Sequence, residues 1–122
     1  TVSEYWNSLL DGVSGAAPIT HFDASKFKTQ FACEVKGFDP HEFMDRKEAR
    51  KVDPFVQYAI ASTDEAVKDA NLEFEKLDTN RIGVIWGSGI GGLTTFLNEV
   101  TAFAKGDGTP RFNPFFIPKM LY

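Results

Sequence analysis

Residues 81–93, RIGVIWGSGIGGL, decide the fold class. Ile82, Gly83, Val84, Ile85 and Trp86 form a continuous apolar run between Arg81 and a glycine cluster. A strand that is apolar on both sides belongs inside a parallel sheet covered on both faces. Beyond the cluster, Leu93, Phe96, Leu97, Val100 and Phe103 recur at helical spacing, so residues 87–92 turn a buried strand into an amphipathic helix. This predicts an α/β fold. A buried parallel strand needs a neighbour on each side, and the rest of the chain offers one edge-type strand. The missing neighbours are therefore expected from outside this segment.

Working toward the N-terminus, Asp53 and Pro54 supply an N-cap and a first-turn proline for a helix reaching about Ala70, with Asn71 as a left-handed cap. Its inward positions, Val56, Ala59, Ile60, Ala66, Val67 and Ala70, predict a buried helix. Pro40 opens a shorter helix through Lys51. Phe31 to Lys36 alternate, with Phe31, Cys33 and Val35 on the apolar face of a half-exposed strand. Residues 12–26, carrying Gly12, Gly15, Pro18, Asp23 and Ser25, read as a loop. Thr1 and Glu4 have capping-box spacing ahead of Val2, Tyr5, Trp6, Leu9 and Leu10, which predicts a helix over 1–11 stopped by Gly12. On the other side, residues 106–110 form a turn, and Phe112 to Pro118 is an aromatic, proline-bounded stretch too apolar for a solvated tail. The chain starts at Thr1, already at a helix cap, which fits a chain cut just after a first strand.

The 122 residues are 43% hydrophobic and 25% charged, the make-up of an ordinary soluble domain. Thirteen basic against 17 acidic residues leave a net charge of -4, so no overall positive field gathers nucleic acid or anionic lipid. No apolar run approaches the roughly 20 residues needed to span a bilayer. With one cysteine and no signal-peptide pattern, the expected location is cytoplasmic.

Three features carry possible chemistry. Gly87 to Gly92 satisfies G-x-G-x-x-G between a strand and a helix, which fits either a dinucleotide site or a tight turn that admits another backbone. The acidic residue that a dinucleotide site needs about 20 positions later falls poorly, since Glu99 lies in the helix and Asp107 in a turn. Cys33, His21 and His41 match no compact ligand spacing, and no metal is expected. Arg46, Lys47, Arg50 and Lys51 put four positive charges on one side of a helix, either a solvated face or a landing site for an acidic partner.

Taken together, YWNSLLDGVSGAAPITHFDASKF, DRKEARKVDPFVQYAIASTDEAVKDA, RIGVIWGSGIGGL and NPFFIP, in this order, resemble the N-terminal part of an elongating β-ketoacyl-acyl carrier protein synthase. The resemblance covers nearly the whole chain. It implies a thiolase-like layered α/β/α/β/α fold, of which residues 1–122 are an incomplete part of the N-terminal half, without the first strand and the catalytic half. It also implies a cytoplasmic acyltransferase of fatty-acid biosynthesis that decarboxylates malonyl-carrier protein and joins two carbons to an acyl chain held on a cysteine.

The family's nucleophile sits in an Ala-Cys motif, with two histidines further along. None of the three is in this segment, because Cys33 lies in the wrong motif and His21 and His41 precede the family's histidines. The isolated chain is expected to be inactive. Ile90 matches a position at the deep end of the acyl pocket, and Phe116 one that reaches across a homodimer interface to the partner's pocket. Lys47, Arg50 and Lys51 match the basic helix that meets acyl carrier protein, and Arg111 joins that patch. No cofactor is implied, since substrates ride on the carrier's phosphopantetheine arm. Gly87, Gly89, Gly91 and Gly92 then let the strand turn sharply and leave Ile90 projecting toward an apolar tunnel. A non-catalytic partner resembling a chain-length factor and a dinucleotide-binding module stay as alternatives.

Overall fold

A computed structural model describes residues 1–121, divided into a unit of residues 1–38 and a second that begins at Asp39. In the first unit, helix α1 spans Val2–Leu10. The Thr1 hydroxyl accepts from the Glu4 amide at 3.2 Å. Gly12, at φ +66°, ends the helix, with the Val13 amide returning to the Ser8 carbonyl at 2.9 Å. Strands β1 (Ala17–Pro18) and β2 (Phe31–Ala32) pair antiparallel, Ala17 opposite Ala32 and Pro18 opposite Phe31.

The strand expected over 31–36 is thus cut to two residues. Pairing continues at one end, where the Ile19 amide donates to the Gln30 carbonyl at 3.0 Å, and stops toward residues 33–36, which the register sets opposite residues 13–16. On that side the Ala16 amide donates to the nearby Ser14 hydroxyl at 3.2 Å, and Glu34 is held through its carboxylate by the Thr20 amide and hydroxyl at 2.9 and 2.7 Å rather than by a backbone ladder. The alternation survives with its sense reversed: Phe31, Cys33 and Val35 are exposed while Ala32 and Glu34 are half-buried.

In the second unit the helix expected from Pro40 through Lys51 is two pieces. A 3₁₀ turn covers Pro40–Glu42, and α2 covers Arg46–Ala49. Each starts on its own aspartate: Asp39 accepts from the His41 amide at 2.9 Å, and Asp45 accepts from Lys47 and Glu48 at 2.7 and 2.9 Å. An N-cap needs extended backbone, here ψ 159° at Asp45, and that breaks a continuous helix.

Helix α3 spans Pro54–Asp69 and is followed by Asn71 at φ +50°. Of its predicted inward residues Val56, Ala59 and Val67 are half-buried, whereas Ile60, Ala66 and Ala70 are exposed, so the helix is not buried as expected. Ile82 to Trp86 run beside α3, the two lining an apolar groove of about 550 Å³, but form no strand among the described residues. Ile82 is extended, yet Ile85 is 100% exposed. A strand is a pairing, and no described segment supplies the partner.

Helix α4 spans Leu93–Lys105 and packs on α5, Phe116–Leu121. Phe96 stacks on Phe116 at 6.3 Å between ring centroids, and Phe112 on Phe116 at 5.5 Å. The sequence shows the 112–118 stretch as apolar but not as helical. Pro118 is the third residue of α5, where no intrahelical donor is required, and the Asn113 side chain accepts from the Phe115 amide at 2.8 Å. The described residues hold one two-stranded ladder rather than layered sheets. No described helix is long and apolar enough to cross a membrane.

Candidate functional site

A groove of about 910 Å³ opens between α2 and the far side of α4. Lys47, Arg50 and Lys51 line one wall, while Asn98, Glu99 and Ala102 of α4 line the other with the segment Arg111 to Phe115. The four basic residues singled out from sequence and resemblance therefore meet at one surface. Their charges are not equally available. Lys51 pairs with Glu48 at 2.5 Å and Arg111 with Asp107 at 2.9 Å. Among the described residues no carboxylate pairs with Lys47 or Arg50.

Local hydrogen bonds fix these charges in place. The Asp45 carboxyl is held below its ordinary value by the Glu48 and Lys47 amides, so the cap that starts α2 is ionised at neutral pH. The Asp107 carboxyl is likewise lowered, chiefly by the Thr109 amide and then by Arg111. Glu99 accepts from the Asn113 amide at 3.0 Å and so anchors the segment that carries Arg111. The roles of Asn98, Glu99 and Asn113 were not evident in the sequence, since a polar helix face looks solvated until a second segment covers it.

The glycine turn is built for close approach. Gly92 adopts φ +58°, and a Cβ placed on it would lie 2.3 Å from the Met120 Cα. A Cβ on Gly91 would lie 2.9 Å from the Met120 carbonyl oxygen and 3.2 Å from the Phe55 ring. Gly87 and Gly89 face open space. At this start of α4 the buried Asp53 carboxylate accepts from the Thr95 amide at 3.2 Å and the Thr95 hydroxyl at 2.6 Å. A pyrophosphate would need the same helix start, where a carboxylate and a carbonyl oxygen already stand and repel an anion.

Ile90 is exposed, and Phe116 is half-buried in its stack with Phe96 and Phe112. Cys33 is exposed rather than packed on an apolar face. His21 lies 3.8 Å from Glu34, while His41 belongs to the other unit. No cluster of three or more His, Cys, Asp or Glu among the described residues is placed to hold a metal ion.

Residues 1–121 match the β-ketoacyl synthase N-terminal domain family. The chain is 46% identical over 117 residues to a 3-oxoacyl-[acyl-carrier-protein] synthase 2 of Coxiella burnetii, covering 96% of this chain and 28% of that protein. It is 41% identical over 121 residues to the protein of the same name from Synechocystis, covering 99% and 29%. Among solved structures it resembles the ishigamide ketosynthase/chain length factor with a TM-score of 0.70 and 29% identity, over 97% of this chain and 29% of that one. The chain thus spans less than a third of the length of these relatives and shares the ketosynthase fold over that part. On sequence and fold alike, it belongs to the β-ketoacyl synthase family, within the N-terminal domain.

Proposed function

We propose that this chain is the N-terminal portion of a β-ketoacyl-acyl carrier protein synthase, in which it supplies the carrier-docking face, part of the acyl pocket and part of a homodimer interface. The observation that carries the reading is the convergence of Lys47, Arg50, Lys51 and Arg111 on one groove with aromatic walls, in a chain of net charge -4. A local basic patch on an acidic background steers an acidic partner to one place. In the complete layered fold, the unpaired run Ile82 to Trp86 gains its strand neighbours and Ile90 lines the deep end of the acyl tunnel. Phe116 then stands at the subunit boundary.

The proposed reaction needs no cofactor on this segment. An acyl group passes from a carrier thioester to an enzyme cysteine thiol. Malonyl-carrier protein loses CO₂, the resulting enolate carbon attacks the acyl carbonyl, and the C–S bond to cysteine breaks as the C–C bond forms. That cysteine and its two histidines lie outside these residues in this reading, which leaves Cys33 without a catalytic part. The test is condensation by the full-length protein from acyl- and malonyl-carrier protein. One CO₂ released per 3-oxoacyl product supports the reading; neither product nor acyl-enzyme overturns it. The name of the solved relative includes a chain length factor, which favours as second reading a non-catalytic partner, in whose presence a second, catalytic subunit carries out the condensation.

A further inference from the structure

We propose that Asp53 is a positioning residue: through Thr95 it holds the two walls of the groove at a fixed separation, and so sets the spacing of Lys47 and Arg50 from Arg111. The inference rests on the docking reading of that groove.

Asp53 is 5% exposed and bonds a residue 42 positions away. It sits at the N-cap position of α3, yet its side chain caps nothing there. Pro54 has no amide, and the Val56 and Gln57 amides are taken by the Asp53 carbonyl at 3.0 and 3.3 Å. The carboxylate is free to reach the first turn of α4 instead. Two further bonds carry this link to the groove walls. On one side the Gln57 side chain donates to the Ala49 carbonyl at 3.0 Å, pinning the end of α2 to α3. On the other, Glu99, one turn beyond Thr95, holds the Asn113 amide beside Arg111.

The basic wall and the Arg111 wall are therefore joined by a relay of polar contacts: Ala49 with Gln57, Asp53 with Thr95, and Glu99 with Asn113. The aromatic stack of α4 with α5 lies wholly on the Arg111 side. Charged hydrogen bonds are directional and strong, which suits them to fixing a distance. A rigid acidic surface reads several cations at once only if their spacing is held.

The test measures carrier-protein affinity in the full-length protein. Thr95→Val removes the hydroxyl donor at nearly constant shape and should weaken binding about three- to tenfold, whereas Thr95→Ser keeps the donor and should stay near the parent. The deciding readout is a double-mutant cycle with Arg111→Ala. If Thr95 sets the spacing, losing Arg111 costs less affinity in the Thr95→Val background. Additive effects make the Asp53–Thr95 bond merely structural and overturn the inference. Should Thr95→Val fail to fold, Asp53→Asn takes its place in the same cycle. A parent protein indifferent to both Lys47→Glu and Arg111→Ala overturns the docking reading, and the inference with it.

Discussion

Gly92→Ala is expected to destabilise the protein by an amount the geometry allows to be divided in two. At φ +58° an alanine bears the left-handed backbone penalty, about 1–2 kcal/mol. Its Cβ would then lie 2.3 Å from the Met120 Cα and 3.0 Å from the Met120 Cβ and Cγ. Relieving the first contact requires α5 to withdraw by about 1 Å, which strains the Phe96–Phe116 stack, and overpacking of this kind costs roughly 1–3 kcal/mol. The sum is about 2–5 kcal/mol, a large part of the roughly 5–15 kcal/mol that stabilises a domain. Gly108→Ala isolates the first part, because Gly108 has φ +81° and a Cβ there would meet nothing within 4 Å. Urea unfolding of the full-length protein, followed by tryptophan fluorescence, reads both; Trp86 lines the same small pocket as Gly91 and Met120. Adding Met120→Ala should not restore stability, since the Met120 Cα and Cβ remain. Equal losses for Gly92→Ala and Gly108→Ala, or rescue by Met120→Ala, would refute the reasoning.

Three further outcomes are expected. Lys47→Glu and Arg50→Glu should each weaken carrier-protein binding about tenfold near 0.01 M salt and only about twofold near 0.5 M, as the screening length shortens. Lys51→Glu should matter less, because Lys51 already holds Glu48; equal loss at both salt concentrations contradicts an electrostatic docking face. Ile90→Phe should fill the far end of the acyl pocket and shift products to shorter chains, and an unchanged product profile removes Ile90 from the pocket. The folded-state value of Asp107 is lowered, so its contribution to the 106–111 turn is complete above its ordinary value of 3.8 and is lost as pH falls through the lowered one. The Thr109 amide resonance should accordingly titrate with a midpoint below 3.8, and a midpoint at or above it contradicts the assignment.

What was legible in the sequence was mainly local. The Thr1 cap, Gly12, Pro54 and Asn71 place the ends of α1 and α3 within about a residue, because caps and left-handed residues act through their own backbone. The break between the 3₁₀ turn and α2 was written just as locally, in Asp39 and Asp45, but a helical run of charges hides a second cap. Strand structure was less legible because it depends on partners: the stretch facing residues 33–36 closes on itself through Ser14 and Ala16, and Ile82 to Trp86 has no described neighbour. At the groove, resemblance pointed to Lys47, Arg50, Lys51 and Arg111, but the wall opposite the basic helix needed coordinates. Asp53 shows the limit most clearly. Its cap-like position before Pro54 is readable, while its partner 42 residues away leaves no periodic trace.

The most direct measurement compares kcat/KM of the full-length protein for malonyl-carrier protein and for a small malonyl thioester, with and without the paired change Lys47→Glu and Arg50→Glu. The account predicts a loss of about tenfold or more at low salt on the carrier-borne substrate and no change on the small thioester. Equal losses on both, or none on the carrier-borne substrate, would contradict it.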